Sequence, residues 1–279
     1  TDTLPPAPFT RSKPAMTPGY KRVLTVYDMI HELFPAEFPA NDRTPIDKAS
    51  AVARADHIIC ISEHTRRDLI RILGVPHEKT SVIHLGISLS PTGTRGDLPV
   101  CRPFLLYVGA RGGYKNFACL LRAYAASGRL LKEFDLLAFG GGPINTKEAE
   151  FIRQLSIPPE NVRQVQGGDD VLEVLYRRAA AFVYPSLYEG FGLPPLEAMS
   201  FDCPVICSNA SSIPEVVGNA ALLFDPLSAE ALGQAIAVVL DDAGLRQALI
   251  AKGRARINHF SWEKCAQLTM TVYERVLSG

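Results

Sequence analysis

Short, mostly apolar runs recur along this chain, and stretches of helical periodicity lie between them. Residues 23–27, 58–61 and 81–84 make a first series; residues 104–108, 134–139, 162–165, 181–184, 204–207 and 221–224 make a second. Runs this short, apolar for most of their length, suit strands covered on both faces. Residues 45–54, 65–73, 116–126, 146–155, 171–178, 229–240, 243–257 and 263–277 read as helices, and a shorter one begins at 195–199. Strands and helices in alternation predict an α/β fold with doubly wound parallel sheets. The series runs twice, on either side of a Gly-, Pro-, Ser- and Thr-rich stretch. Two domains facing a cleft are therefore expected: residues 1–90, a linker at 91–102, residues 103–260, and a closing helix in 261–279.

The first series offers about three strands and the second about six. Three are few for burying a core, so the amino-terminal domain is expected to be incomplete. Twenty-nine basic residues balance twenty-nine acidic ones, which leaves no electrostatic reason to expect nucleic-acid binding. The cysteines are Cys60, Cys101, Cys119, Cys203, Cys207 and Cys265. None form a C-x-x-C pair, and several sit inside apolar runs. They read as buried hydrophobes in a reducing cytoplasm. No stretch approaches the roughly 18–20 apolar residues of a membrane span, so a soluble, cytoplasmic protein is expected, with room for peripheral contact at the inner face of a membrane.

In doubly wound sheets ligands bind beyond the carboxyl ends of the strands. The first unusual strand end is Gly109-Ala110-Arg111-Gly112-Gly113-Tyr114-Lys115-Asn116. Its glycines allow close backbone approach to a phosphate, and a helix follows. Arg111 and Lys115 add a guanidinium fork and a point charge. A plain strand-to-helix turn with two solvated cations fits these residues equally well. The second is Tyr188-Glu189-Gly190-Phe191-Gly192-Leu193-Pro194-Pro195-Leu196-Glu197. Two carboxylates, eight residues apart, suit a sugar and a ribose diol. Gly190 and Gly192 free the intervening amides for an anion, and the prolines suit a first helical turn. An exposed Glu189 and a structural Glu197 are the plainer alternative. Paired carboxylates also serve glycosidases, but phosphate-binding features have no place there. His31 falls just past a strand end and could face a sugar or an acceptor, although a surface or core histidine is the simpler account. Gly140 to Gly142, Gly167 and Gly168 permit approach to a flat ring or simply make turns.

The run 184–199 resembles the Glu-x7-Glu signature of the family 4 retaining glycosyltransferases of GT-B fold, which have two Rossmann-like domains. Segments 105–116, 181–207 and 212–226 look like that family's carboxy-terminal domain in sequence and order. Residues 23–86 are similar to the second half of its amino-terminal domain, including Asp28-x-x-His31 and Ile61-Ser62-Glu63-x-Thr65-x-x-Asp68-Leu69. Family members begin with a strand and glycine-rich loop that have no counterpart before Val23, so weak donor binding is expected of the chain as given.

The resemblance implies that Arg111 and Lys115 bind the donor diphosphate. It has Glu189 hold sugar hydroxyls while the amides of Gly190, Phe191, Gly192 and Leu193 face sugar and phosphate. Glu197 would take the ribose, Gly141 and Gly167 would lie near the base, and His31 would face the transferring sugar. Ser62, Glu63 and Thr65 would line the acceptor side. Glu189, His31, Arg111 and Lys115 are thus the expected catalytic set. No metal or other cofactor is implied. The implied mechanism is same-face attack, with the leaving phosphate taking the acceptor proton. The run Tyr27–Pro35 is similar to bacterial mannosyltransferases of surface polysaccharide and lipopolysaccharide assembly, which implies GDP-mannose as donor and a glycan or lipid-linked glycan as acceptor. UDP-glucose or another hexose donor stands behind it. Two readings from other classes remain: a nucleotide-sugar-binding module without catalysis, and a GT-B-fold sugar-nucleotide epimerase, for which no acid–base pair is identified. Nothing in the sequence sets the oligomeric state.

Overall fold

The computed structural model describes residues 20–88 and 102–278. Two parallel sheets organise it. The first half runs β1 (Val23–Val26), α1 (Ile30–Leu33), α2 (Thr44–Arg54), β2 (His57–Cys60), α3 (Glu63–Leu73) and β3 (Thr80–Val82). The second runs β4 (Phe104–Val108), α4 (Phe117–Ala125), α5 (Gly128–Glu133), β5 (Asp135–Phe139), α6 (Thr146–Gln154), β6 (Val162–Val165), α7 (Asp169–Arg178), β7 (Ala181–Tyr184), α8 (Leu193–Ser200), β8 (Val205–Ser208), α9 (Ile213–Val217), β9 (Leu222–Phe224), α10 (Ala229–Asp241) and α11 (Ala243–Ile257). A last helix, α12 (Trp262–Ser278), follows. Most of the expected linker, and the chain before Tyr20, lie outside the described residues.

The apolar runs of the central strands β2, β4, β7 and β8 are unbroken because both faces are covered there. In β4, Leu105 and Tyr107 pack on one side with α4 and α10, while Phe104 and Leu106 pack on the other with residues of α7, α8 and α9. Side chains that alternate across a strand then meet apolar neighbours at every position. In the first half, Val26, Ile58 and Cys60 face Val52 of α2 and Leu69 of α3. Ile59 and Ile83 turn the other way, onto Val272 of α12. The last helix thus crosses to the first sheet, where Arg275 also bonds to His57 and Ser81, each at 2.9 Å.

Local signals set the helix ends. Ser62 caps α3, its Oγ accepting from the amide of Thr65, and Gly74, in the left-handed region at φ 64°, stops it. Asn145 and Glu148 make a capping box at α6. The short helices α1, α5 and α9 were not expected from the sequence; each spans under two turns, too few residues for a periodicity to register.

The first sheet has the order β1-β2-β3 and the second β6-β5-β4-β7-β8-β9. In the second sheet the chain winds outward from β4 to β6, then returns to β7 on the other side. The order reverses between β4 and β7, which opens a crevice at their carboxyl ends. Both singular strand-end segments of the sequence, the one after β4 and the one after β7, emerge there.

Candidate functional site: a cation and a carboxylate at the switch point

The loop after β4 turns sharply. Gly109 has φ +128°, a conformation that a side chain at this position would resist. The phenol of Tyr107 bonds to the Ala110 carbonyl within the same turn. Residues Gly113–Lys115 form one 3-10 turn, and Asn116 (φ 58°) enters α4. Asn116 Nδ2 donates to the carbonyls of Pro185 (3.0 Å) and Pro226 (2.9 Å), and the Leu187 amide donates to Tyr114 O at 2.7 Å. These bonds stitch the β4 loop to the β7 loop.

The stitching brings Lys115 and Glu189 together. Lys115 Nζ lies 2.8 and 3.0 Å from the two carboxylate oxygens. The Glu189 side chain is 9% exposed and that of Lys115 20%. Lys115 also stands 5.3 Å from the Tyr114 ring centre and 6.0 Å from that of Tyr184. The Tyr184 phenol lies beside the Glu189 carboxylate; burial, and then the carboxylate charge, push its ionisation far above the ordinary range. Two serines immobilise the Glu189 backbone. Its amide donates to Ser211 Oγ at 2.9 Å, and Ser212 Oγ lies 2.8 Å from its carbonyl and 2.9 Å from that of Phe191. Ser211, Ser212 and Tyr184 were not singled out from the sequence. The usable signal was position, because all three lie at or just past the carboxyl ends of strands.

Gly192, at φ +104°, precedes α8, which starts without a side-chain cap and with Pro194 and Pro195 in its first turn. Prolines carry no N–H, so donors at this helix start come from Phe191, Gly192 and Leu193. Glu197 lies within α8 and its Oε2 accepts from Tyr176 OH at 3.1 Å. Burial raises its carboxyl above the ordinary value, against the Tyr176 bond.

Arg111 is placed differently from the sequence expectation. Its side chain is 2% exposed. It donates to Glu148 Oε1 and Oε2 at 2.8 and 3.1 Å, to Gly140 O at 2.9 Å, and to Gly142 O and Pro143 O, each at 3.0 Å. Burial works to raise the Glu148 carboxyl, but Arg111 and the Asn145 amide hold it low. Arg111 therefore joins the loops after β4 and β5 as an internal brace, and its donors are not presented to a phosphate. Gly141 (φ +69°) is part of that joint, with no room for a Cβ between Arg111 Nη1 and Gly109 O. Gly167 follows β6 at the edge of the sheet, two strands from β4, and packs on Val171.

The first half meets the Glu189 loop directly. A Cβ at Gly190 would lie 2.0 Å from the Tyr27 carbonyl oxygen. The Gly190 carbonyl accepts from Ser62 Oγ at 2.7 Å and Thr65 Oγ1 at 3.2 Å. Ser62 and Thr65 are fully buried, so the acceptor-side placement expected for them is replaced by a pin between the halves. Glu63 keeps a half-exposed side chain paired with Arg66. Its amide and that of His64 donate to the carboxylate of Glu215, which also takes a 2.7 Å bond from His84. Burial works to raise the Glu215 carboxyl, and these bonds outweigh it, leaving it below its ordinary value. His31 is not brought against Lys115 or Glu189. Its Nδ1 lies 2.7 Å from Asp42, whose carboxyl is held down at about 2 by His31 and Thr44, and its ring stacks on Phe38. It lines a cavity of about 230 Å³ with Asp28, Thr44 and Lys48.

The crevice thus holds a cation, a carboxylate, and the start of a helix. Comparison with known proteins agrees with that chemistry. The family described as "Glycosyl transferases group 1" matches residues 96–256, and "Glycosyltransferase Family 4" matches residues 4–91. The chain is 32% identical over 278 residues to the O-antigen chain mannosyltransferase B of Escherichia coli, covering 91% of this chain and 70% of that protein. It is 28% identical to the serotype-specific mannosyltransferase WbdA of Escherichia coli, over 97% of this chain but only 35% of WbdA. Among solved structures, the sucrose-phosphate synthase of Thermosynechococcus elongatus superposes with a TM-score of 0.76 at 26% identity, over 94% of this chain and 69% of that one. HepE of Anabaena, solved with UDP and glucose, superposes with a TM-score of 0.72 at 19% identity, covering 91% and 71%; it speaks for the fold alone. With two parallel sheets, a crevice at a switch point and both family matches along its length, this chain belongs to the family 4 glycosyltransferases of GT-B fold.

Proposed function

We propose that this chain carries the donor site of a retaining hexosyltransferase that moves mannose from GDP-mannose to a glycan or lipid-linked glycan in surface-polysaccharide assembly. The Lys115–Glu189 pair at the crevice carries the reading. A cation for the diphosphate and an acceptor for sugar hydroxyls sit in direct contact, on loops stitched to each other. The names of the two mannosyltransferases support mannose, and the family resemblance supports retention.

In this reading the donor diphosphate draws Lys115 away from Glu189 and takes its charge. Glu189, freed, accepts from hydroxyls of the sugar. Lys115 and the amides of Phe191, Gly192 and Leu193 then meet the charge that builds on the leaving phosphate. The acceptor attacks from the face the phosphate leaves, and the phosphate takes its proton. The sugar bond to phosphate breaks as the bond to the acceptor oxygen forms, so the anomeric configuration is kept. Glu197 accepts from the ribose diol. The proposal includes no metal.

Calorimetric titration with GDP, UDP, ADP and their sugars tests this, first alone and then with Mg²⁺. GDP and GDP-mannose are expected to bind most tightly, with affinities unmoved by Mg²⁺. Replacing Lys115 with Met should remove a charge-assisted bond to phosphate, a loss of about 10–100-fold in affinity. Equal binding of all bases would end the assignment of the donor, and an unchanged affinity in K115M would end the assignment of the site.

Glu197 gives a pH test. Its carboxyl holds a proton to higher pH than a free glutamate does, and a protonated carboxyl is a weaker acceptor for the two hydrogens of a diol than a carboxylate. Folded-state protonation is favoured here, so Glu197 ionisation costs stability as pH rises, while donor binding gains from it. Affinity for the nucleotide sugar should therefore fall as pH drops through the range where Glu197 takes its proton, which begins above that of an ordinary glutamate. Its pyrophosphate does not titrate there. Glu197→Gln should bind more weakly and lose this step; an E197Q profile parallel to the wild type would remove Glu197 from the ribose.

A further inference from the structure

A buried hydrogen bond crosses between the halves beside Glu189, and the reading above makes no use of it. Tyr188 donates its phenol O–H to Asp68 Oδ2 at 2.8 Å. Asp68 lies in α3, and the two residues are 5% and 7% exposed. The carboxylate is held in one orientation: Arg71 donates to Oδ1 from Nη2 at 2.7 Å and from Nε at 3.3 Å, and His64 Nε2 stands 3.2 Å from Oδ2. The Tyr188 ring packs on Phe34 and His64 of the first half. Burial and the adjacent carboxylate push the phenol's ionisation well up, so it remains a donor through the ordinary pH range.

We propose that Asp68 and Tyr188 form a clasp that sets Glu189 in place for the sugar, which makes both of them positioning residues for transfer. The inference rests on the reading of Glu189 as the sugar-binding carboxylate. Glu189 is held from its own half by Lys115, Tyr184 and Ser211. On its far side, Gly190 is tied to Ser62 and Thr65. Tyr188 ties the near side, through a charge-assisted bond in a site closed to water. With both neighbours anchored on α3, the Glu189 carboxylate takes its position from the first half as well as from the second. A shift of about 1 Å in such a group weakens a reaction far more than it weakens binding of the remote nucleotide. If the ring served packing alone, phenylalanine would replace it without loss, because the contacts with Phe34 and His64 would stay.

The test uses Tyr188→Phe, Asp68→Ala, the two combined, and Asp68→Asn, with two readouts on each preparation. The first is hydrogen exchange of amides 187–192 without ligand. The second is the gain in affinity of GDP-mannose over GDP. Y188F and D68A should each speed exchange in that segment several-fold, and together no more than either alone. Each should reduce the sugar-dependent gain about tenfold while GDP affinity stays within about twofold. D68N, whose amide oxygen can still accept from the phenol, should recover most of both. Unchanged exchange in Y188F overturns the clasp, and so does a sugar-dependent gain that survives both substitutions. If the wild-type protein binds GDP but shows no gain from the sugar, the reading of Glu189 falls, and the positioning role falls with it even where exchange shows the hydrogen bond to be real.

Discussion

Glu189→Gln is expected to lower transfer by about 10²-fold, the usual cost of removing one preorganised polar group from a reacting centre, while GDP binding is kept or slightly tightened. The two halves of this expectation share one cause. In the free protein Glu189 occupies Lys115 with both oxygens, so it competes with the diphosphate for the same cation. Glutamine keeps the shape of the side chain but removes the charge that holds Lys115 back. It also brings an N–H₂ donor where sugar hydroxyls need an acceptor. Nucleotide alone should gain from the free Lys115, and the sugar should lose its partner. Calorimetry with GDP and a transfer assay on the same preparation check this. A variant that loses GDP binding and transfer in equal measure would show that Glu189 acts by supporting the loop and not by holding the sugar.

Gly190→Ala carries the second large effect, and it needs no assumption about chemistry. The new Cβ would lie 2.0 Å from the Tyr27 carbonyl oxygen and 3.0 Å from both the Tyr27 carbonyl carbon and Asp28 Cβ. Two backbones meet here, so no flexible side-chain end can move aside. Relief requires the halves to part, and parting strands the Ser62 hydroxyl, which is fully buried and bonded to the Gly190 carbonyl. The cost should be on the order of 3 kcal/mol, at the upper end for an overpacked site, with roughly 6–12 °C lost in Tm. Transfer should fall further than stability, because the first half would no longer close on the Glu189 loop. Thermal unfolding and hydrogen exchange at residues 62–65 measure this. An alanine variant with wild-type melting and exchange would mean that the two halves do not meet at Gly190 in solution.

The sequence by itself determined the strands, the longer helices and the family. A strand covered on both faces is a continuous apolar run, so β4 and β7 were placed at their observed limits from their apolar runs alone. Helices of nine residues or more declared themselves by periodicity. The strand-end glycines and the eight-residue spacing of Glu189 and Glu197 marked where chemistry could sit. These signals are local, and local signals survive without tertiary information. Contact between distant residues is not local. The pairing of Lys115 with Glu189 spans 74 residues, the bond of Ser62 to Gly190 spans 128, and that of Tyr188 to Asp68 spans 120. Which strand lies beside β4 decides the first, because only the adjacency of β4 and β7 brings their two loops into one crevice. Arg111 shows the same limit from the other side. Its spacing suited a phosphate, but α6 brings Glu148 within 2.8 Å, and a buried guanidinium takes whatever acceptors the fold encloses with it. A side chain's type is written in the sequence, whereas its partner depends on which elements pack together, and only the tertiary structure decides that.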